Sequence, residues 1–198
     1  MILKIRQVGE QVLRQQARPL SADEILDRST RELIESMRET MHDAPGVGLA
    51  APQVGYPLQL VVIEDQYEFI QKLPVHQVTE RERRPVPFHV LINPKLSLIG
   101  SEIAAFFEGC LSVAGFTAVV PRAKRVRVEC LNERGEAVTI EAAGWYARIL
   151  QHEIDHLDGA LYIDRMNSRS FCSHDNYARY WKDRPVAEVT SSEMLGSS

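Results

Sequence analysis

Gly144-Trp-Tyr-Ala-Arg-Ile-Leu-Gln-His152-Glu153-Ile-Asp-His156-Leu157 is the stretch on which the reading of this chain turns. Two histidines four apart on a helix lie one above the other, roughly 6 Å apart in rise, so both imidazoles can reach one divalent ion. Glu153 cannot join them on that face. It flanks the site, where a carboxylate can move a proton to and from water. On a helical wheel, residues 143–158 divide into three arcs. Ala143, Ala147, Leu150, Ile154 and Leu157 form an apolar arc suited to packing on a sheet; Arg148, Gln151, Asp155 and Asp158 form a polar one. Trp145, Ile149, His152 and His156 share the third, with Glu153 at its edge. Histidines grouped with large apolar side chains, away from the main packing arc, point to a metal at the floor of an apolar pocket. The bland alternative is a pair of hydrogen-bonded core imidazoles.

A catalytic site of this kind needs three protein ligands and one open position. The metalloprotease pattern H-E-x-x-H-x-x-G-x-x-H is matched as far as Gly159, but Tyr162 stands where the third His belongs. His174 is the only later His, in a stretch with no helix or strand signal to aim it. The better candidate lies upstream, in Glu108-Gly109-Cys110-Leu111-Ser112. Gly109 allows close approach of the backbone to an ion, and a thiolate with two imidazoles suits Zn2+ or Fe2+. An isolated Cys is usually a small buried hydrophobe, the reading adopted for Cys130 and Cys172.

Working outward, Ser29-Thr-Arg-Glu32 has the form of a capping box before Leu33, Ile34, Met37 and Met41 at helical spacing, which predicts a helix from about Thr30 to His42. Residues 46–53 read as a loop of small residues, Leu58 to Ile63 as a buried strand, and 64–87 as a charged, Pro-punctuated surface excursion. Strands are expected at Phe88–Ile92, Leu96–Ile99 and Ile103–Phe107, and a hairpin pairs Arg125–Leu131 with Ala137–Glu141. The motif helix is bounded by Gly144 and Leu157, with Gly159 as its stop. Antiparallel strands packed around that central helix, with one further helix near the N-terminus, make the fold class α+β.

The chain's 198 residues suit one domain, and a quarter of them are charged against 44% apolar. A net charge of −4 argues against the basic surface of a nucleic-acid binder. No apolar run approaches the ~20 residues of a membrane span, and the N-terminus is too short in apolar length for a signal peptide. The cytoplasm is the expected compartment. Three cysteines cannot all pair and are expected to be reduced.

Three stretches together resemble the signature motifs of peptide deformylase: Gly46-Val-Gly-Leu-Ala-Ala-Pro-Gln53, Glu108-Gly-Cys-Leu-Ser112 and Gln151-His-Glu-Ile-Asp-His156. The resemblance covers nearly all of residues 1–170, the expected catalytic domain. Residues 171–198, rich in Ser and Glu from about Val186, are an extension expected to be partly disordered. Gly144–Ile149 resembles the branch that includes the mitochondrial enzymes.

What the resemblance implies is a metal-dependent amidohydrolase that removes the formyl group from the N-terminal formyl-methionine of newly made polypeptides and releases formate. Cys110, His152 and His156 would hold one divalent metal, Fe2+ expected, with Zn2+, Ni2+ or Co2+ as replacements. Glu153 would take a proton from water at the metal and pass it to the leaving amine, while the Gln53 amide and the Leu111 N–H hold the oxyanion. Gly46, Val47 and Gly48 would line the substrate, with Trp145 and Ile149 beside the methionine side chain. The implied partners are N-formylmethionyl nascent peptides, with transient ribosome association and no direct nucleic-acid or membrane contact. The region beyond Asn167 differs from the helix some members use at the ribosome, so no docking mode is carried over. Two departures from the family pattern stand out. The excursion at 64–87 is long, and the segment after Gly115 lacks an Arg that many bacterial members place near the pocket. A zincin-like metallopeptidase is the alternative, disfavoured by Tyr162; a closed, four-ligand structural site is the rival from outside enzymology.

Overall fold

Leu60-Val61-Val62-Ile63 is buried without a break, and that dictates the layering. Alternate side chains of a strand point to opposite faces, so this run must be covered on both sides. The computed structural model describes residues 1–191. Its elements run α1 (Ala22–Leu26), α2 (Arg28–Asp43), β1 (Gly48–Ala50), β2 (Leu60–Asp65), α3 (Tyr67–Ile70), α4 (Val75–Glu80), β3 (Val86–Leu98), β4 (Ile103–Cys110) and β5 (Val113–Ala123). They continue with β6 (Arg125–Leu131), β7 (Ala137–Ala143), α5 (Gly144–Leu157), β8 (Cys172–Ser173), α6 (His174–Tyr180) and α7 (Val186–Ser191). Among these elements no helix is long and apolar enough to cross a membrane.

The strands form two antiparallel sheets, β1-β2-β3-β6-β7 and β4-β5-β8. Leu60, Val62, Val90 and Ile92 face α2, where Ile34, Met37 and Met41 cover them. Val61, Ile63, Leu91, Val126 and Val128 face α5, where Ala147, Leu150 and Leu157 cover them. The apolar arc of α5 thus packs on the larger sheet. Most of its polar arc is not solvated: Asp158 is exposed, but Arg148, Gln151 and Asp155 are buried, with Glu108 accepting from Arg148, Ala123 bonding Gln151 and Arg122 donating to Asp155. The expected α+β architecture around a central helix is the one observed.

Several boundaries differ from the expectation for physical reasons. The capping box belongs to α1, where Ser21 Oγ accepts from Glu24 N at 3.3 Å and the Glu24 carboxylate accepts from Ser21 N at 2.8 Å. Helix α2 is capped by Asp27, which accepts from Arg28 N at 2.6 Å, and the Ser29 hydroxyl donates to that same Asp. The two strands expected within 88–99 are one, kinked where Asn93 takes φ +51° and the pairing with β6 slips. The Asn93 side chain exchanges hydrogen bonds with the Leu20 backbone at 2.9 and 2.8 Å, which fixes the kink. β5 went unread because Gly115 and Pro121 interrupt it, yet it pairs with β4 from Thr117 to Ala123. Gly48–Ala50, expected as loop, is a sheet edge. The excursion folds into α3 and α4 and is tied back by Arg83, bidentate to the buried Asp65 at 2.8 and 2.9 Å.

Residues 171–191 of the extension carry secondary structure. β8 adds to β5, Phe171 stacks on Phe116 with ring centroids 5.0 Å apart, and Tyr177 packs on Phe107 at 4.8 Å. Helix α7 (Val186–Ser191) falls at the start of the tail expected to be disordered; the rest of that tail, 192–198, lies outside the described residues.

Met37 is fully buried between α2 and the sheet. Met37→Ala should cost ~2–5 kcal/mol of unfolding free energy, the range for large-to-small core changes, in urea denaturation followed by circular dichroism. A loss under ~1 kcal/mol would mean that the α2 layer does not carry the packing argued above.

Candidate active site and metal centre

Three stretches distant in sequence converge at α5, which carries one of them, packs on β1 and is tied to β4 through Glu108. His152 and His156 project from α5, Cys110 ends β4, and Gln53 sits in a short 3-10 turn directly after the edge strand β1. One donor atom from each of Cys110, His152 and His156 lies within 4.8 Å of the others. His156 Nε2 is 3.3 Å from Cys110 Sγ. His152 turns its Nδ1 to the Glu108 carboxylate at 3.0 Å, which leaves Nε2 for an ion. Burial holds His156 well below the usual imidazole range, and so neutral, the form that ligates.

The donor set fits a catalytic ion. Three protein ligands of mixed thiolate and imidazole character leave a coordination position free. Beside them, Glu153 is buried with its Oε2 lacking any protein partner. Burial, with a smaller push from the Glu108 charge, raises the Glu153 carboxyl to about 7 against the opposing pull of His152 and Arg122. A buried carboxylate oxygen without a donor is costly unless water or an ion serves it. Tyr162, at the position of a metzincin's third His, is no part of the donor cluster. It is buried behind His152, ring centroids 6.3 Å apart.

Gln53 is aimed by the turn that carries it. Its Oε1 accepts from Ala50 N at 2.8 Å, so Nε2 must point the other way, toward Ser112 Oγ at 3.2 Å and Cys110 Sγ at 3.5 Å. Gly48 leaves room for the Glu153 carboxylate, which a Cβ there would overlap. At Gly46 a Cβ would press on the Leu111 side chain, whose Cδ1 would be 2.9 Å away. Gly46, Val47, Gly48, Gln53, Cys110, Leu111, Trp145, Ile149, His152 and Glu153 all line one cleft of about 460 Å³.

Sequence reasoning missed the groups that hold this site. Glu108, quoted in the sequence only as part of the Cys110 motif, is 5% exposed. It accepts from Arg122 Nε and Nη2 at 3.0 Å each, from Arg148 Nη1 at 2.5 Å and from His152. Burial opposes its ionisation, but the His152 and Arg122 bonds win and hold it well below the usual carboxylate range. Arg122 also donates to Asp155, which Arg165 grips bidentately at 2.7 Å. Arg81, from the excursion, lies over Trp145 with its guanidinium carbon 4.8 Å from the ring centroid. His174 and Tyr177 also line the cleft, although His174 had no signal to aim it. Its place depends on β8 pairing, which no local pattern announces.

The family model for polypeptide deformylase matches residues 2–171. The chain belongs to the polypeptide deformylase family. It is 49% identical over 192 residues to peptide deformylase 3 of Streptomyces avermitilis, covering 97% of this chain and 83% of that one. It is 47% identical over 172 residues to the chloroplastic peptide deformylase 1A of Solanum lycopersicum, covering 87% of this chain and 62% of the tomato protein. The chain thus spans less than two thirds of the latter. A class I type b peptide deformylase of Acinetobacter baumannii, solved with Met-Ala-Ser bound, superposes with a TM-score of 0.75 at 32% identity, over 84% of this chain and 99% of that one. Bacterial and plastid relatives match about equally, so the family is supported and no single branch of it. Within the deformylase family this chain is a metal-dependent hydrolase, with one divalent site at Cys110, His152 and His156.

Glu108 joins the ligand His152 to two buried guanidiniums, so its loss should be felt at the metal. Glu108→Gln should weaken metal retention roughly 10- to 100-fold, the usual effect of removing a partner behind a ligating His. Dialysis against graded chelator with metal analysis measures this. Unchanged retention would reduce Glu108 to a purely structural anchor.

Proposed function

We propose that this enzyme removes the formyl group from the N-terminal formyl-methionine of newly made polypeptides, releasing formate. One observation carries the reading. A buried, unpartnered carboxylate oxygen of Glu153 and an aimed amide of Gln53 flank the same three-donor cluster, in an apolar cleft open to a chain end. A solved relative holds Met-Ala-Ser, the tripeptide left when formate leaves formyl-Met-Ala-Ser.

When bound, a divalent ion supplies Lewis acidity to water and to the formyl carbonyl. Glu153 takes the proton from the attacking water and delivers it to the nitrogen that leaves. A carboxyl near neutrality can do both. The Gln53 Nε2–H and the Leu111 N–H donate to the formyl oxygen as it gains charge. Since Ala50 N fixes the Gln53 amide beforehand, that donor needs no reorganisation. Val47, Trp145 and Ile149 enclose the methionine side chain, and Gly46 and Gly48 let the peptide backbone lie close.

The catalytic unit is taken as residues 1–170, with 171–198 as an extension. The cytoplasm is the proposed compartment, supported by three free cysteines, one at an open site that needs reducing conditions. Fe2+ is the proposed physiological ion. Contact with the ribosome is proposed to be transient, and the net charge of −4 speaks against direct nucleic-acid binding. No membrane contact is proposed. Kinship to the mitochondrial-type branch rests on Gly144–Ile149 alone.

The purified, metal-loaded protein should release formate from formyl-Met-Ala-Ser and leave internal peptide bonds intact. Glu153→Gln should keep its metal and lose ~10²–10⁴-fold in turnover; Gln53→Leu should lose roughly 10²–10³-fold in kcat. Cleavage of unformylated peptides without formate would instead favour the metallopeptidase alternative. Metal loss in Glu153→Gln would make Glu153 a ligand and sink its role as base.

A further inference from the structure

The C-terminal segment builds part of the cleft wall. β8 docks on β5 through Phe116↔Ser173 and Thr117↔Cys172, and β5 docks on β4 through Thr117↔Gly109. Gly109, the residue before the ligand Cys110, is thereby bracketed by α6. His174 Nε2 would lie 3.4 Å from a Cβ at Gly109, so the ring sits directly over that exposed backbone. Tyr177, one helical turn on, lines the same cleft and is fixed there by its contact with the Phe107 ring. The Phe171–Phe116 stack, with rings 9° from parallel, holds the entry to this segment. The His174 ring has no hydrogen bond or ion pair to any described residue. An imidazole anchored through its backbone and free at its ring nitrogens can both donate and accept.

We propose that His174 is a specificity-determining residue that reads the side chain following the formyl-methionine, favouring hydrogen-bonding side chains such as Ser, Thr, Asp and Glu over aliphatic ones. The inference rests on the deformylase reading above. A chain whose formyl group lies between Gln53 and Glu153, with methionine against Ile149 and Trp145, leaves the metal cluster over a rim that includes Gly109. Successive side chains of an extended peptide point to opposite sides, so the residue after methionine turns away from α5. β4, with α6 beyond it, is the wall that carries a free polar ring. Gly109 itself has no side chain to compete for that space.

The test is kcat/KM of the metal-loaded full chain on formyl-Met-Xaa-Ser peptides with Xaa Ser, Asp, Ala, Leu and Lys, for wild type, His174→Ala and His174→Gln. Wild type should favour Ser and Asp over Ala by about three- to tenfold, the size of one net hydrogen bond. His174→Ala should level that ratio, chiefly through KM, at unchanged metal content. His174→Gln, which keeps a donor and an acceptor, should restore most of it. Equal losses on every peptide in His174→Ala would make His174 merely structural and overturn the proposal, as would a wild type that does not discriminate Ser or Asp from Ala. Failure of the metal-loaded wild type to release formate from any of the five would instead refute the deformylase reading itself.

Discussion

Everything about this site depends on one buried carboxylate. Glu108 has its two oxygens occupied by three cations or potential cations: Arg122, Arg148 and His152. A carboxylate at 5% exposure is tolerable only with such pairing. In return it ties β4, β5 and α5 into one unit. Cys110, two residues after Glu108 on β4, is thereby held at the right height against the two imidazoles of α5. A buried ionic network contributes less to net stability than apolar packing of similar volume. Its value here is geometric, since the ligand triangle is set by where those charges must meet.

Desolvation has opposite outcomes on two carboxylates of this site, Glu108 on β4 and Glu153 on α5. Glu108 is surrounded by guanidinium groups and stays ionised. Glu153 has no cation in contact, and burial pushes it up to about 7. Two chemically similar groups are separated, one held ionised and one raised toward neutrality, by what stands beside them. Gly48 makes this possible, because any side chain there would occupy the space of the Glu153 carboxylate. Gln53 follows the same logic: one face of its amide is consumed by Ala50 N so that the other is aimed.

How much of this was legible follows from which forces are local. Periodicity within residues 143–158 is a property of one helix, so the ligand pair, the apolar arc and the flanking Glu153 could be read directly. The hairpin of β6 and β7 was equally local, and its strands pair residue for residue. The site's supports were not. Arg122 and Asp155 meet across 33 positions in sequence, and Arg148 and Glu108 across 40. A polar arc carries no mark that tells burial against a complementary charge from exposure to water. Strand β5 failed for a related reason. Pro121 and Gly115 are locally unfavourable in a strand, but pairing with β4 outweighs them.

The extension shows how a segment without a core of its own is held in place. Residues 171–180 contain Ser, His, Asp, Asn and Arg, a mixture that cannot bury a core of its own. They need not do so, because Phe171, Cys172, Tyr177 and Trp181 dock on apolar surface that β4 and β5 already present. A short segment docked on a finished sheet loses chain entropy only over its own length. It can therefore be ordered by two or three aromatic contacts, and it orders whatever polar residues lie between them. His174 is such a residue, placed by Phe171 on one side and Tyr177 on the other. Its position over Gly109 is a consequence of aromatic packing, so substitutions at His174 can change what the cleft selects without changing how the segment docks.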